Sequence, residues 1–177
     1  TREQAEAAKA EVIKVYPLSN PIKAAAWIDN QVQPRLVRMC EAGILPGALA
    51  LNASTQFVCV DQPLRLENRP GPWLGAYEEA DATLVWPLRC AYGRYVATDG
   101  ELDELESGGQ VVLRYQQPEP TGSMRGIAGI SNATGNVVGL MPHPDNAIEA
   151  ITGPQQSPTD GLAVFAGVVA ALNAASA

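Results

Sequence analysis

Residues 125–145, RGIAGISNATGNVVGLMPHPD, carry the most informative pattern of the sequence. Two short apolar runs, residues 127–130 and 137–141, flank a turn that contains Asn132, Gly135 and Asn136. This pattern predicts a β-hairpin, because glycine and asparagine tolerate the positive φ angles that tight turns require. We therefore expect these residues to form two neighbouring strands of a sheet.

A histidine between two prolines ends the second predicted strand, in the order Pro142, His143, Pro144, Asp145. Proline fixes φ and removes a backbone donor, so the imidazole is held on a stiff corner of the chain. His143 is the only histidine of the sequence, and an ordinary pKa near ~6.5 suits proton transfer at neutral pH. The carboxylate of Asp145 can set its tautomer. The same residues also fit a turn that only caps a strand, and the corner alone does not separate the two interpretations.

Composition limits the class of protein. The chain has 177 residues, of which 46% are hydrophobic and 18% charged, and this predicts one globular domain with a sizeable core. A net charge of −7 argues against nucleic-acid binding, which needs clusters of Lys and Arg. The longest apolar run, near residues 162–172, is shorter than the ~20 residues that cross a bilayer. We therefore expect neither a nucleic-acid nor a membrane partner.

The three cysteines, Cys40, Cys59 and Cys90, are odd in number and widely spaced. They form no CxxC pair and, with a single histidine, no zinc set, so no metal site is expected. A disulfide framework is equally unexpected, which favours a reducing cytoplasm.

Strand and helix patterns alternate along the rest of the chain. Strands are predicted near residues 55–67, 82–88, 93–96 and 111–115, and Pro63 predicts that the first of these is broken, carries a bulge or lies at an edge. Helices are predicted at residues 100–107, which are acidic and end at Gly108, and at residues 160–172. Mixed elements of this kind predict an α/β fold, with residues 1–177 as a single domain.

The stretch IAGISNATGNVVGLMPHPDNAIEAITGP, followed by Asp160-Gly161-Leu162 and an apolar helix, resembles the glutaminase subunit of phosphoribosylformylglycinamidine (FGAM) synthase. That family consists of class I glutamine amidotransferases of purine biosynthesis. The resemblance is dense over residues 41–177, whereas residues 1–40 are divergent or reduced. It implies a flavodoxin-like, three-layer α/β domain with an incomplete N-terminal part of the sheet. No cofactor is implied.

The resemblance also implies roles for individual residues. His143 matches the base of the catalytic triad, and Asp145 stands where the family has a glutamate that orients this base. The loop of residues 52–57, with Asn52 and Phe57 at its ends, matches the glutamine pocket.

This sequence differs from the family at the position of the catalytic thiol. The family carries it on a Gly-x-Cys-x-Gly elbow, whose backbone N–H groups form an oxyanion hole. Counting back from residues 41–43 places Gln33 at the cysteine's position, and glutamine is no nucleophile. Cys40 and Cys59 are predicted to be buried packing residues. Cys90 lies beside Arg89 and Arg94, which favour a thiolate, so it is the cysteine with an argument for acting as a substitute nucleophile.

Three interpretations follow. The first is a subunit without glutaminase activity, with a structural or interaction role. It would be completed by a synthetase-type large subunit, by another chain that completes the sheet, or by further copies of itself. Trp73, Trp86 and Tyr92 would then either face a partner or pack in the core. The second is an active glutaminase that delivers ammonia, if the native protein is longer and contains the elbow. The third is a small-molecule binding module, for which the sequence names no ligand.

Overall fold

The computed structural model describes residues 44–78 and 82–175, and these residues belong to one compact unit, Leu36–Ala177. The fold is mixed α/β, as predicted. Predictions that concern residues 1–43, among them the incomplete part of the sheet, Gln33 and Cys40, lie outside the described residues. The elements in chain order are β1 (Ala48–Ala50), β2 (Val58–Leu66), α1 (Gly71–Leu74), β3 (Thr83–Cys90), β4 (Arg94–Val96), α2 (Asp99–Ser107), β5 (Val111–Tyr115), β6 (Ile127–Ser131), β7 (Val138–Leu140) and α3 (Leu162–Ala175).

The strands of the described residues form two sheets. One has five strands in the order β3-β2-β5-β6-β7, and the other pairs β1 with β4; every pairing is antiparallel. Strands β6 and β7 are the hairpin that the sequence predicts. Its turn contains Gly135 at φ +69°, and the Asn132 N–H donates to the carbonyl of Val137 across the turn.

Pro63 lies in β2, next to the residues at which the pairing of β2 with β5 ends. β2 is continuous over nine residues and pairs with β3 without a break, so the predicted break or bulge is wrong. β5 pairs only with Leu64–Leu66. The Pro63 carbonyl accepts from the Gln116 N–H just past the end of β5, and the missing proline N–H therefore leaves no gap in the ladder.

The buried apolar side chains of the described residues form two clusters. The larger joins one face of the sheet to α1 and α3 and contains the fully buried Trp86, so the core interpretation of this tryptophan is confirmed. Trp73 is half-buried, and Tyr92 remains 46% exposed. The smaller cluster packs α2 against β5 and β6 through Leu102 and Leu105.

Helix α2 forms where the sequence predicts an acidic helix. A capping box starts it: the Thr98 hydroxyl accepts from the Glu101 N–H, and the Glu101 carboxylate accepts from the Thr98 N–H. Gly109 follows its end at φ +65°. The acidic side chains are not merely solvated, since Arg125 pairs with both Asp103 and Glu106 at 2.7 and 2.6 Å.

Helix α3 packs against α1 through small residues, whereas its larger apolar side chains are exposed to solvent. Gly167 lies against the Pro72 backbone of α1, where a Cβ would come within 2.5 Å of the Pro72 carbonyl oxygen, and Val164 is buried. The apolar residues whose spacing predicted the helix are between 42% and 63% exposed, namely Leu162, Phe165, Val169 and Leu172. None of the helices in residues 44–78 and 82–175 is long and apolar enough to cross a membrane.

Candidate active site

The Pro-His-Pro corner connects the two ends of the five-stranded sheet. The His143 N–H donates to the Pro87 carbonyl of β3 at 2.7 Å, although β7 and β3 occupy opposite ends of the strand order. In a flat sheet, four strand spacings separate them by about 19 Å. The three residues from Leu140 to His143 span at most about 11 Å. The sheet must therefore curl, and its curl brings the histidine next to β3.

The prolines shape the corner locally. Pro144 begins a one-turn 3₁₀ helix, Pro144–Asn146, in which the Ala147 N–H donates to the Pro144 carbonyl at 3.0 Å. Pro144 is buried, and Gly161 lies directly against its backbone. The imidazole therefore projects from a tight turn whose backbone is packed against another part of the chain, and not from a free loop.

The structure brings His143 and Asp145 together. His143 Nδ1 lies 3.5 Å from Asp145 Oδ1, and the two side chains are 33% and 60% exposed. Hydrogen bonding and charge from the imidazole, together with the charge of Arg89, hold the pKa of Asp145 below its ordinary value, against the opposing effect of partial burial. A carboxylate at Nδ1 leaves Nε2 as the atom that exchanges a proton with a reacting group.

Two further residues extend this pair into a network. The Asn146 amide donates to Asp145 Oδ2 at 2.8 Å and accepts from Arg89 at 3.1 Å. Arg89 belongs to β3 and lies two residues from Pro87, the anchor of His143. Sequence reasoning did not assign Asn146 or Arg89 to the corner. They lie 57 positions apart, and no local pattern connects them.

Asn52 is hydrogen-bonded to the same strand, β3, three residues beyond Pro87, and its side chain bonds to neighbouring parts of the chain. It is 1% exposed. Its amide donates to the carbonyls of Cys90 and Gln56 at 2.8 and 2.9 Å, and its oxygen accepts from the Gly93 N–H at 2.8 Å. Cys90 and Pro87 are three residues apart, so the two anchor points are separated by roughly 10 Å along β3.

Phe57 lies just before β2 and is 54% exposed. The structure thus places one predicted pocket residue, Asn52, in the interior and the other on the surface. Their assignment to a glutamine pocket stays a prediction.

The two thiols within the described residues differ in their exposure to solvent. Cys90 is 1% exposed, and the carbonyl of the same residue accepts from Asn52. Cys59 is exposed, so the prediction that it is a buried packing residue is wrong. The reason is the alternation of β2, in which Val58 faces the core and the next side chain faces out. Among the described residues, no hydrogen bond joins the His143 side chain to either thiol, and no group of three or more His, Cys, Asp or Glu is placed to hold a metal.

Comparisons with known proteins give the family. Residues 39–169 match the model of the CobB/CobQ-like glutamine amidotransferase domain. These residues include His143, Asp145, Asn52, Phe57 and both described cysteines, whereas Gln33 lies before them. The role given to Gln33 therefore stays a prediction.

Curated relatives carry the name phosphoribosylformylglycinamidine synthase subunit PurQ. The proteins of Rhodococcus jostii and Nocardia farcinica are each 51% identical over 131 residues, which cover 74% of this chain and 56% of the relative. That of Mycobacterium tuberculosis is 51% identical over 127 residues, covering 72% and 54%. This chain spans about half the length of these relatives.

A solved structure agrees with the sequence comparisons. The structure of PurLQS from Thermotoga maritima is similar with a TM-score of 0.64 and 35% identity, over 77% of this chain and 58% of that one. On the family model and these identities together, the chain belongs to the CobB/CobQ-like glutamine amidotransferase family.

Proposed function

We propose that this chain is a glutamine amidotransferase-like subunit of the FGAM synthase type, in purine biosynthesis, and that it has a structural or interaction role without hydrolysing glutamine on its own. The observation that carries the proposal is the His143–Asp145 pair at 3.5 Å, which holds a base in place with no thiol bonded to it in the described residues. Base and orienter without a nucleophile do not form an acyl-enzyme.

The two described cysteines support this proposal. Cys90 is buried three residues along β3 from Pro87, which accepts the His143 N–H, and it lies beside Asn52. Cys59 is accessible, but it lies on β2, opposite Arg89 of β3 in the strand register, and β2 is a regular strand and not a strand-to-helix elbow. A nucleophile on a regular strand lacks the backbone N–H groups that stabilise the oxyanion.

Assembly with a partner is part of the proposal. The curated relatives are named as subunits of a synthase, which supports a synthetase-type large subunit as the partner. The exposed free thiol of Cys59 is typical of a reducing compartment, and this supports a cytoplasmic protein.

An active glutaminase is the second candidate. It is favoured by the same His143–Asp145 pair, because the geometry of a base and its orienter is complete. It needs a Gly-x-Cys-x-Gly elbow in the native protein, which would deliver the thiol to His143 Nε2. Ammonia would then pass to the partner.

Release of glutamate from glutamine separates the two candidates. The purified chain is assayed alone and with its co-expressed synthase partner, in parallel with His143→Ala and Cys59→Ser. We expect the rate of a protein-free blank in all samples. Glutamate release that His143→Ala lowers by about 10² or more would contradict the proposal, because loss of a general base has an effect of that size. Release that Cys59→Ser abolishes would identify the nucleophile.

A further inference from the structure

The side chain of Asn146 sets the direction of the Asp145 carboxylate. The contact between Asp145 Oδ1 and His143 Nδ1 is 3.5 Å long, whereas a typical N–H···O hydrogen bond measures ~2.7–3.2 Å. The bond from the Asn146 amide to Asp145 Oδ2, at 2.8 Å, lies within that range. The Asp145 side chain is 60% exposed, so packing holds it only weakly. The Asn146 amide is therefore the group that fixes one carboxylate oxygen and leaves the other facing the imidazole.

Asn146 is itself held at two points. Its backbone N–H donates to the His143 carbonyl at 3.2 Å, and its side-chain oxygen accepts from the Arg89 guanidinium at 3.1 Å. A guanidinium has five donors and no acceptor. The amide oxygen must therefore face Arg89, and the NH₂ group faces Asp145. A reversed amide would bring two donors together at Arg89 and two acceptors together at Asp145.

Arg89 connects this arrangement to the sheet. It lies on the exposed face of β3, which pairs with β2 without a break. Pro87, two residues before it, accepts the His143 N–H at 2.7 Å. One strand thus holds the backbone of His143 and the guanidinium at positions about 7 Å apart. A strand supports a site more rigidly than a loop does.

We propose that Arg89 and Asn146 are positioning residues of the His143 corner. Arg89 sets the direction of the Asn146 amide, and the amide turns the Asp145 carboxylate so that its Oδ1 accepts from Nδ1 of His143. The neutral imidazole then carries its proton on Nδ1 and presents Nε2 without one. This assignment concerns the pair on which the proposed function rests. It requires no hydrolysis of glutamine, so it can fail while the proposed function holds.

An effect of charge and an effect of orientation are separable at this site. Hydrogen bonding to His143 is the largest cause that lowers the pKa of the Asp145 carboxyl, and the charge of Arg89 is the smallest. Charge acts over several ångströms in any direction, whereas the direction of an amide depends on which of its ends faces a donor. Substitutions that change charge and hydrogen bonding separately therefore test the proposal.

The experiment measures the tautomer of His143 by NMR. His143 is the only histidine of the 177 residues, so labelling the full chain with ¹⁵N-histidine gives signals from one imidazole, and its two nitrogen shifts show which nitrogen carries the proton. At a pH where the imidazole is neutral, we expect the proton on Nδ1 in the wild type. Asn146→Ala should lower the ratio of the Nδ1–H to the Nε2–H tautomer roughly tenfold, because it removes one hydrogen bond to a charged group.

Variants of Arg89 test the direction of the amide. Arg89→Glu presents an acceptor, which draws the Asn146 NH₂ group away from Asp145, and should lower the tautomer ratio at least as much as Asn146→Ala does. Arg94→Glu is the matched control, since Arg94 is an exposed arginine of β4 and the change of charge is the same. We expect Arg94→Glu to keep the wild-type ratio.

Three results would overturn the proposal. They are a wild type with its proton on Nε2, an unchanged ratio in Asn146→Ala or Arg89→Glu, and an equal loss in Arg94→Glu and Arg89→Glu, which would assign the effect to charge alone. Asn146→Ala changes a partly exposed side chain and keeps the test decisive if circular dichroism shows that Arg89→Glu fails to fold. Glutamate release from glutamine would contradict the proposed function whatever the tautomer, so the two failures are distinguishable.

Discussion

The loop at Asn52 and the corner at His143 are hydrogen-bonded to β3 at positions three residues apart. The Asn52 side chain is buried, whereas the side chains of the corner are partly exposed. At Cys90, the Asn52 side chain is buried and both its amide nitrogen and its oxygen bond to backbone. At Pro87, the hydrogen bond comes from the backbone N–H of His143 and not from its side chain. The imidazole and the Asp145 carboxylate stay partly exposed. The Asn52 loop therefore maintains the fold, whereas the His143 corner keeps its polar atoms available for chemistry.

The largest effect is expected from Asn52→Ala. It leaves the Gly93 N–H and the Cys90 carbonyl buried without the partner that they have now, and we expect a loss of about 3 kcal/mol in the free energy of unfolding. Asn132→Ala is the matched control. Asn132 makes three side-chain hydrogen bonds, against four for Asn52, but in an exposed turn, so a loss near ~1 kcal/mol is expected. Urea unfolding measures both, and equal losses would contradict the difference between the segments.

Gly93→Ala is expected to rank second. A Cβ at this position overlaps the Cys90 sulfur and comes within 3.2 Å of Asn52 Oδ1, so we expect a loss of about 2 kcal/mol from overpacking. Gly100→Ala in α2 is the control, because a Cβ there meets nothing within 4 Å and alanine favours a helix. Thermal unfolding should rank the control at or above the wild type. If Gly93→Ala unfolds at the same temperature as the wild type, the packing of Gly93 against Cys90 and Asn52 is less tight than these distances indicate.

Asp145→Asn is expected to change the pH dependence of stability. The folded-state pKa of Asp145 is lowered, so its contribution is complete above the unfolded pKa near ~3.9 and is lost as the pH falls through the lower folded value. The wild type should therefore lose more stability than Asp145→Asn on acidification below about pH 4. Urea unfolding at a series of pH values checks this. Parallel curves would show that the carboxylate does not interact with His143 in solution.

His143→Ala should have the smallest effect on stability. The side chain is partly exposed, and the hydrogen bond to Pro87 comes from the backbone, which alanine retains. We expect a change within about 0.5 kcal/mol, together with a rise in the Asp145 pKa toward its ordinary value. Carbon-detected NMR titration of the Asp145 carboxyl measures the pKa. A large loss of stability would place His143 with Asn52 among the structural residues.

The sequence predicted what local patterns determine. The β6–β7 hairpin follows from the turn at Gly135, and α2 from its acidic run and the glycines after it. The contact between His143 and β3 could not be predicted, because it depends on the curl of a sheet whose strands are far apart in sequence. The same holds for Arg89 and Asn146.

Side-chain orientation was the other source of error. Cys59 belongs to a run that is apolar throughout, so periodicity does not tell which side chains face the core. The apolar residues of α3 show the converse, since their helical spacing is real but small residues make the contact with α1. Packing partners decide these cases, and a single sequence does not identify them.

The proposal that this chain does not hydrolyse glutamine on its own is tested by a glutamine-shaped electrophile. An analogue of glutamine with a diazoketone in place of the amide alkylates a thiol that is activated in a glutamine site. We predict that the intact mass of the chain is unchanged after incubation, in the wild type and in Cys59→Ser. One added equivalent that persists in Cys59→Ser and is lost in His143→Ala would contradict the claim.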